Sequence, residues 1–126
     1  FHSFGHTMTC SPKCKLSRYN ELAGRNPDTT INGGTVGAIS ELRVASDLMK
    51  KGYSVFRALS PSCFCDLIAK KGKKTLFIEA RTGYKSTAGS ISYPKTTHGK
   101  ISCFGIYIRN TDEIFYFDKN GEEFTT

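Results

Sequence analysis

Residues 64–81 read Phe64-Cys65-Asp66-Leu67-Ile68-Ala69-Lys70-Lys71-Gly72-Lys73-Lys74-Thr75-Leu76-Phe77-Ile78-Glu79-Ala80-Arg81. Two apolar runs flank the polar turn Lys71-Gly72-Lys73-Lys74, which predicts a β-hairpin with arms at 64–70 and 75–81. One acid interrupts each arm. Asp66 and Glu79 are both about six to seven positions from the centre of the turn, so the hairpin makes them cross-strand neighbours. Two carboxylates placed side by side repel each other unless a cation lies between them. Mg²⁺ suits that place, because it takes hard oxygen ligands, often one or two carboxylates with waters and substrate phosphate. Arg81 follows Glu79 by two residues, so it points to the same face of its strand and can bind the same phosphate.

Upstream of the hairpin, apolar residues at Val36, Ile39, Leu42, Val44, Ala45, Leu48 and Met49 have helical spacing, and Gly52 supplies a stop. Glu41 lies three and seven residues before Val44 and Leu48, on the face expected to pack inward. An acid there is costly unless it is paired, protonated or metal-bound. A strand is expected at 53–59. Downstream, residues 82–100 are rich in Gly, Ser and Thr, with a short strand at 90–93. Strands at 103–108 and 113–117 follow, then a turn at Asp118-Lys119-Asn120-Gly121. The aromatic residues Phe104, Tyr107, Phe115, Tyr116 and Phe117 suit a sheet buried on both faces or an oligomer interface. The expected class is α/β in the α+β sense, an N-terminal helix packed on a mixed, largely antiparallel sheet spanning 35–126. Residues 1–34 form an appendage. Within it Ser11 caps a short basic helix that stops at Gly24, and the breaker-rich Asn26–Gly34 serves as linker.

With 126 residues, 38% of them hydrophobic, the chain can bury a core without disulfides or an obligatory metal. No run approaches the ~20 apolar residues of a membrane span, and the N-terminus lacks the blocks of a secretory signal. The expectation is therefore an intracellular, cytoplasmic protein with no membrane association. The net charge of +7 is unevenly distributed. Residues 67–100 hold Lys70, Lys71, Lys73, Lys74, Arg81, Lys85, Lys95 and Lys100 against Glu79 alone, whereas 101–126 are net acidic. Such a block serves a polyanion, since each neutralised phosphate releases condensed counterions. The competing reading is a solvated, solubilising face.

The order of elements from Gly37 to Arg81 resembles the PD-(D/E)XK nuclease superfamily. The resemblance rests on Ser40-Glu41 on the helix, Lys51-Gly52-Tyr53-Ser54-Val55 entering a strand, Asp66-Leu67-Ile68-Ala69 on the next, and Ile78-Glu79-Ala80-Arg81 on the third. It is nearest to the small archaeal Holliday-junction resolvases and the intron-encoded homing endonucleases. The resemblance implies a restriction-endonuclease-like core and a DNA endonuclease dependent on Mg²⁺ or Mn²⁺. Its ligands would be Glu41, Asp66, Glu79 and the carbonyl of Ala80. Arg81 takes the place of the family's lysine, and Cys65 stands where a proline is usual. An arginine cannot act as a base, but it can stabilise a phosphate as a bidentate donor. The lysines from Lys70 to Lys100 would hold DNA, and a symmetric homodimer would let two sites meet two strands. A catalytically silent DNA-binding module is the alternative. A third reading, an interaction protein whose acids pair with nearby lysines, accounts less well for the charge block.

The five cysteines divide into two groups. Cys63, Cys65 and Cys103 suit the core as small apolar residues. Cys10-Ser11-Pro12-Lys13-Cys14 has the spacing of half a zinc site; His2 and His6 could complete it, or its partners lie before Phe1. His98 falls in a polar loop and is expected to be solvated, and Tyr19, Tyr84 and Tyr93 suit ordinary surface packing better than base stacking.

Overall fold

A computed structural model describes residues 31–97 and 99–126. The short helix expected at 11–24, the zinc candidates His2, His6, Cys10 and Cys14, Tyr19 and His98 lie outside the described residues. Helix α1 spans Gly33–Lys50 and begins three residues ahead of the apolar pattern. Asn32 causes the early start, because its side chain accepts a hydrogen bond from the Thr35 N–H at 2.9 Å. Gly33 and Gly34 therefore belong to the first turn of the helix and not to a linker. At the other end the Gly52 N–H bonds to the Met49 carbonyl at 3.0 Å and the Tyr53 N–H to the Leu48 carbonyl at 3.1 Å. Gly52, with φ of 93°, provides the left-handed residue that this C-terminal motif requires, and Tyr53 and Leu48 meet in the core.

The strands are β1 (Ser54–Arg57), β2 (Leu67–Lys71), β3 (Lys74–Lys85), β4 (Ile91–Ser92), β5 (Cys103–Ile108) and β6 (Glu113–Phe117). They form one mixed sheet in the order β1-β2-β3-β5-β6, with β4 paired to β3. The hairpin has the expected turn, with Leu67 opposite Ile78 and Lys71 opposite Lys74. All described strand pairs are antiparallel except β3 with β5, which run parallel from Ile78↔Cys103 to Gly83↔Ile108. The parallel partner corrects one boundary. Residues 82–85 continue β3 instead of opening a loop, because β5 on one side and β4 on the other supply backbone partners that local composition does not reveal. Strands β5 and β6 have the bounds expected from sequence, and Asp118–Gly121 forms the last turn, closed by the Gly121 N–H to the Asp118 carbonyl at 3.0 Å.

Side chains alternate across this sheet into two apolar layers. Val44 and Leu48 of α1 pack with Leu67, Ala69, Leu76, Ile78, Ala80, Cys103 and Tyr116 on one face. Cys65, Ile101, Phe104, Ile106 and Ile108 form the opposite layer, flanked by Phe64, Phe77, Tyr93 and Phe117. Tyr93 and Ile101 pack on that second face, with the Tyr93 ring 5.4 Å from those of Phe104 and Phe117. Strand β5 is thus buried on both sides, in keeping with its aromatic and aliphatic run.

Two glycines let these layers close. A Cβ at Gly105 would stand 2.6 Å from Val44 Cγ1, and one at Gly83 would stand 2.6 Å from the Ser92 carbonyl oxygen and 2.7 Å from Ile106 Cγ2. Neither neighbour yields readily: Val44 is β-branched and fully buried, and the Ser92 oxygen is backbone. Gly105→Ala and Gly83→Ala should each cost about 1–3 kcal/mol in urea unfolding. Gly37→Ala, at an exposed helical position with open space around it, should instead stabilise by roughly 0.5–1 kcal/mol.

Candidate active site

The buried stripe of α1 is Ser40, Val44 and Leu48, so the inward polar position belongs to Ser40 and not to Glu41. The Ser40 hydroxyl hydrogen-bonds the Thr82 hydroxyl on β3. Sequence reasoning misses this pair, and the only signal for it is that Ser40 is spaced four and eight residues before Val44 and Leu48. Glu41 sits on the flank of the helix, where its carboxylate accepts a hydrogen bond from Arg57 Nε of β1 at 3.0 Å. That pair answers the cost of placing an acid there.

Asp66 lies immediately before β2 and is tied to both neighbouring strands. Its N–H donates to the Ile78 carbonyl at 3.0 Å and its carbonyl accepts from the Ala58 N–H at 3.0 Å. Its side-chain Oδ2 accepts from the Ala80 N–H at 2.9 Å. Asp66 is thus fastened to the residues on either side of Glu79, and the hairpin brings the two acids together. Glu79 and Arg81 alternate along β3 with Ile78 and Ala80, which face the helix, so they belong to the other side of the sheet. Arg81 accordingly lies over the Phe104 ring, 5.9 Å from its centroid.

Arg81 is the hub of the site. Its Nη2 donates to Glu79 Oε2 and, at 3.1 Å, to the Thr96 carbonyl. Its Nη1 donates to the Ala80 carbonyl at 3.1 Å and stands 3.6 Å from Asp66 Oδ2. The side chain of Glu79 is 14% exposed, that of Arg81 24% and that of Asp66 30%, so the cluster is sheltered but open to water. Glu41 reaches the neighbourhood from the helix side: a cleft of about 340 Å³ is lined by Glu41, Arg57, Cys63, Cys65 and Asp66. Among the described residues no three His, Cys, Asp or Glu side chains form a metal-binding group. Asp66 and Glu79 stand together around Arg81, while Glu41 stands apart with Arg57.

The basic residues do not form one patch around this cluster. Lys70, Lys71, Lys73 and Lys74 are exposed at the hairpin tip. Lys74 lies five residues before Glu79 along β3, a span of about 17 Å. Lys71 also has a structural role, donating to the Lys51 carbonyl at 2.8 Å at the end of α1. Lys85 pairs with Glu113 at 3.3 Å, Lys95 lies over the Tyr93 ring, and Lys100 is exposed in the segment leading to β5.

No protein-family model matches the sequence, and no curated protein matches it. Among solved structures, that of a bacterial homing endonuclease, I-Ssp6803I, is similar, with a TM-score of 0.61 over 71% of this chain and 67% of that one, at 16% identity. The two chains share a fold. The α+β architecture of the described residues, a helix on a mixed six-stranded sheet, is therefore that of a homing-endonuclease structure. No helix among the described residues is long and apolar enough to cross a membrane.

Three free cysteines lie among the described residues. Burial, and then the negative charges of Asp66 and Glu79, push the Cys65 thiol above its ordinary range. Burial pushes that of Cys103 up to about 12. Cys63 is exposed at the mouth of the cleft. Thiol reagent at neutral pH should modify Cys63 and leave Cys65 and Cys103 intact until the protein is unfolded, as peptide mapping by mass spectrometry would show.

Proposed function

We propose that the chain is a DNA-binding endonuclease that hydrolyses phosphodiester bonds with the help of Mg²⁺ or Mn²⁺, resolvase-like or homing-endonuclease-like in its action. The observation that carries this reading is the Asp66–Glu79 pair, two acids fastened side by side on a hairpin within a fold shared with a homing endonuclease. The donor set suits the metal. Asp66, Glu79 and the Ala80 carbonyl offer hard oxygens, and a cationic group, the Arg81 guanidinium, already stands among them. Glu41 would contribute from across the cleft, after exchanging its bond to Arg57. A bound divalent ion would neutralise a phosphodiester and activate water.

The chain's own residues supply the rest. The Ala80 N–H fixes the Asp66 carboxylate in place, so little reorganisation is needed when charge develops nearby. Arg81 offers directed donors to a phosphate. The lysines of the hairpin tip, with Lys85, Lys95 and Lys100, would hold the DNA backbone on either side. A homodimer through the aromatic C-terminal strands and an intracellular setting complete the proposal. The engagement of Arg81 with both acids favours one second reading: a silent DNA-binding module that keeps the fold without cleaving.

Incubation with supercoiled plasmid and with branched DNA separates the two. Slow nicking in Mg²⁺ or Mn²⁺, stopped by chelator, is expected from the protein as it stands, with faster nicking by Arg81→Lys and none by Glu79→Ala. Cleavage by Arg81→Lys alone would establish the silent module, and cleavage by neither would end the nuclease reading. DNA affinity should fall steeply with salt, and replacing Lys70, Lys73 and Lys74 by Gln should flatten the log–log slope by about one for each phosphate no longer neutralised. Light scattering should return the mass of a dimer.

A further inference from the structure

The placement of Arg81 goes beyond a donor waiting for phosphate. Each proposed ligand on β3 and just before β2 has one oxygen engaged by this guanidinium: Glu79 Oε2, Asp66 Oδ2 and the Ala80 carbonyl. The ion pairs that Asp66 and Glu79 make among the described residues are both with Arg81. A planar cation of single charge thus occupies the place where two carboxylates would otherwise repel, and it leaves the cluster with one net negative charge. Its fourth partner, the Thr96 carbonyl at 3.1 Å, fixes it from the segment that crosses the far face of the sheet.

We propose that Arg81 is a resident counter-cation, displaced when a divalent metal binds, and that its release offers the guanidinium to a DNA phosphate, so that metal and DNA bind cooperatively. This rests on the reading of Asp66 and Glu79 as metal ligands. Three observations make the exchange feasible. The cluster is open to water, with Arg81 and Asp66 about one-quarter to one-third exposed, so its ion pairs are partly screened and modest in strength. The Arg81 guanidinium lies over the Phe104 ring, 5.9 Å from its centroid, a cation–π contact that holds the group near the site as it leaves the acids. The hydrogen bond that Arg81 would give up at Thr96 is to one neutral carbonyl on an exposed residue, which water can satisfy. The coupling follows from linkage: if metal and Arg81 compete for the same oxygens, any ligand that holds Arg81 elsewhere tightens the metal, and the metal tightens that ligand by the same factor.

Calorimetric titration of the full chain with Ca²⁺ or Mn²⁺, with and without a short DNA duplex, tests this; Ca²⁺ serves to keep the duplex intact. Wild-type protein should bind the metal about five- to tenfold more tightly with duplex present. Arg81→Gln alone should bind it more tightly than wild type by a similar factor, with little further gain from duplex. Equal or weaker metal binding by folded Arg81→Gln would overturn the resident-cation role and leave the metal site standing. Absence of metal binding by both proteins, with and without duplex, would remove the site and with it the metal-dependent nuclease reading. If Arg81→Gln fails to fold, the arginine Nε–H resonance of wild-type Arg81 decides the matter. A shift on adding Ca²⁺, absent in Asp66→Asn, supports displacement, and an unmoved signal at saturating metal refutes it.

Discussion

The seat of Val44 on Gly105 is the contact on which the rest of the arrangement depends. A helix can come this close to β5 only where the strand presents no side chain, and Gly105 pairs across the ladder with Ala80, the smallest side chain on the neighbouring strand. The two small residues make a shallow seat in the sheet, and the Ser40–Val44–Leu48 stripe of α1 fits over it. Once Ile78 and Ala80 face the helix, the two-residue period of a strand sends Glu79 and Arg81 to the other face. The chemistry is therefore placed by packing.

The same alternation explains why the acids separate into two sets. Asp66 and Glu79 belong to one hairpin, and the N–H of Ala80, next to Glu79 in the chain, holds the Asp66 carboxylate at 2.9 Å. Glu41 rides on the helix, one residue off the buried stripe, and takes Arg57 of the edge strand as its partner. Each acid in this region thus has an arginine beside it, with Asp66 and Glu79 sharing Arg81.

The basic block has a similar division of labour. Lys71 and Lys51 serve the end of α1, through the Lys71 bond to the Lys51 carbonyl and the Lys51 contacts with Asp47 and the Tyr116 ring. A cation near a helix C-terminus is favourable whether or not nucleic acid is present. Lys70 stands four residues from Asp66 and Lys74 five from Glu79, about 13 to 17 Å along the strands, a distance that spans several nucleotides and not a single phosphate.

Sequence alone determined the local elements: the helix from its three-to-four-residue apolar spacing, the hairpin around Gly72 with arms expected at 64–70 and 75–81, of which the first begins only at Leu67, and the bounds of β5 and β6 from aromatic runs closed by turns. It also determined the closeness of Asp66 and Glu79, because a hairpin fixes which residues meet by counting from its turn. Only the tertiary structure decided that β3 extends to Lys85, that Ser40 and not Glu41 takes the buried place on the helix, and that Arg81 turns back onto the acids. Each of these depends on partners distant in the chain: β5 for the end of β3, Thr82 for Ser40, Thr96 for Arg81. Local spacing records which way a side chain starts, and it holds no information on what the fold brings to meet it.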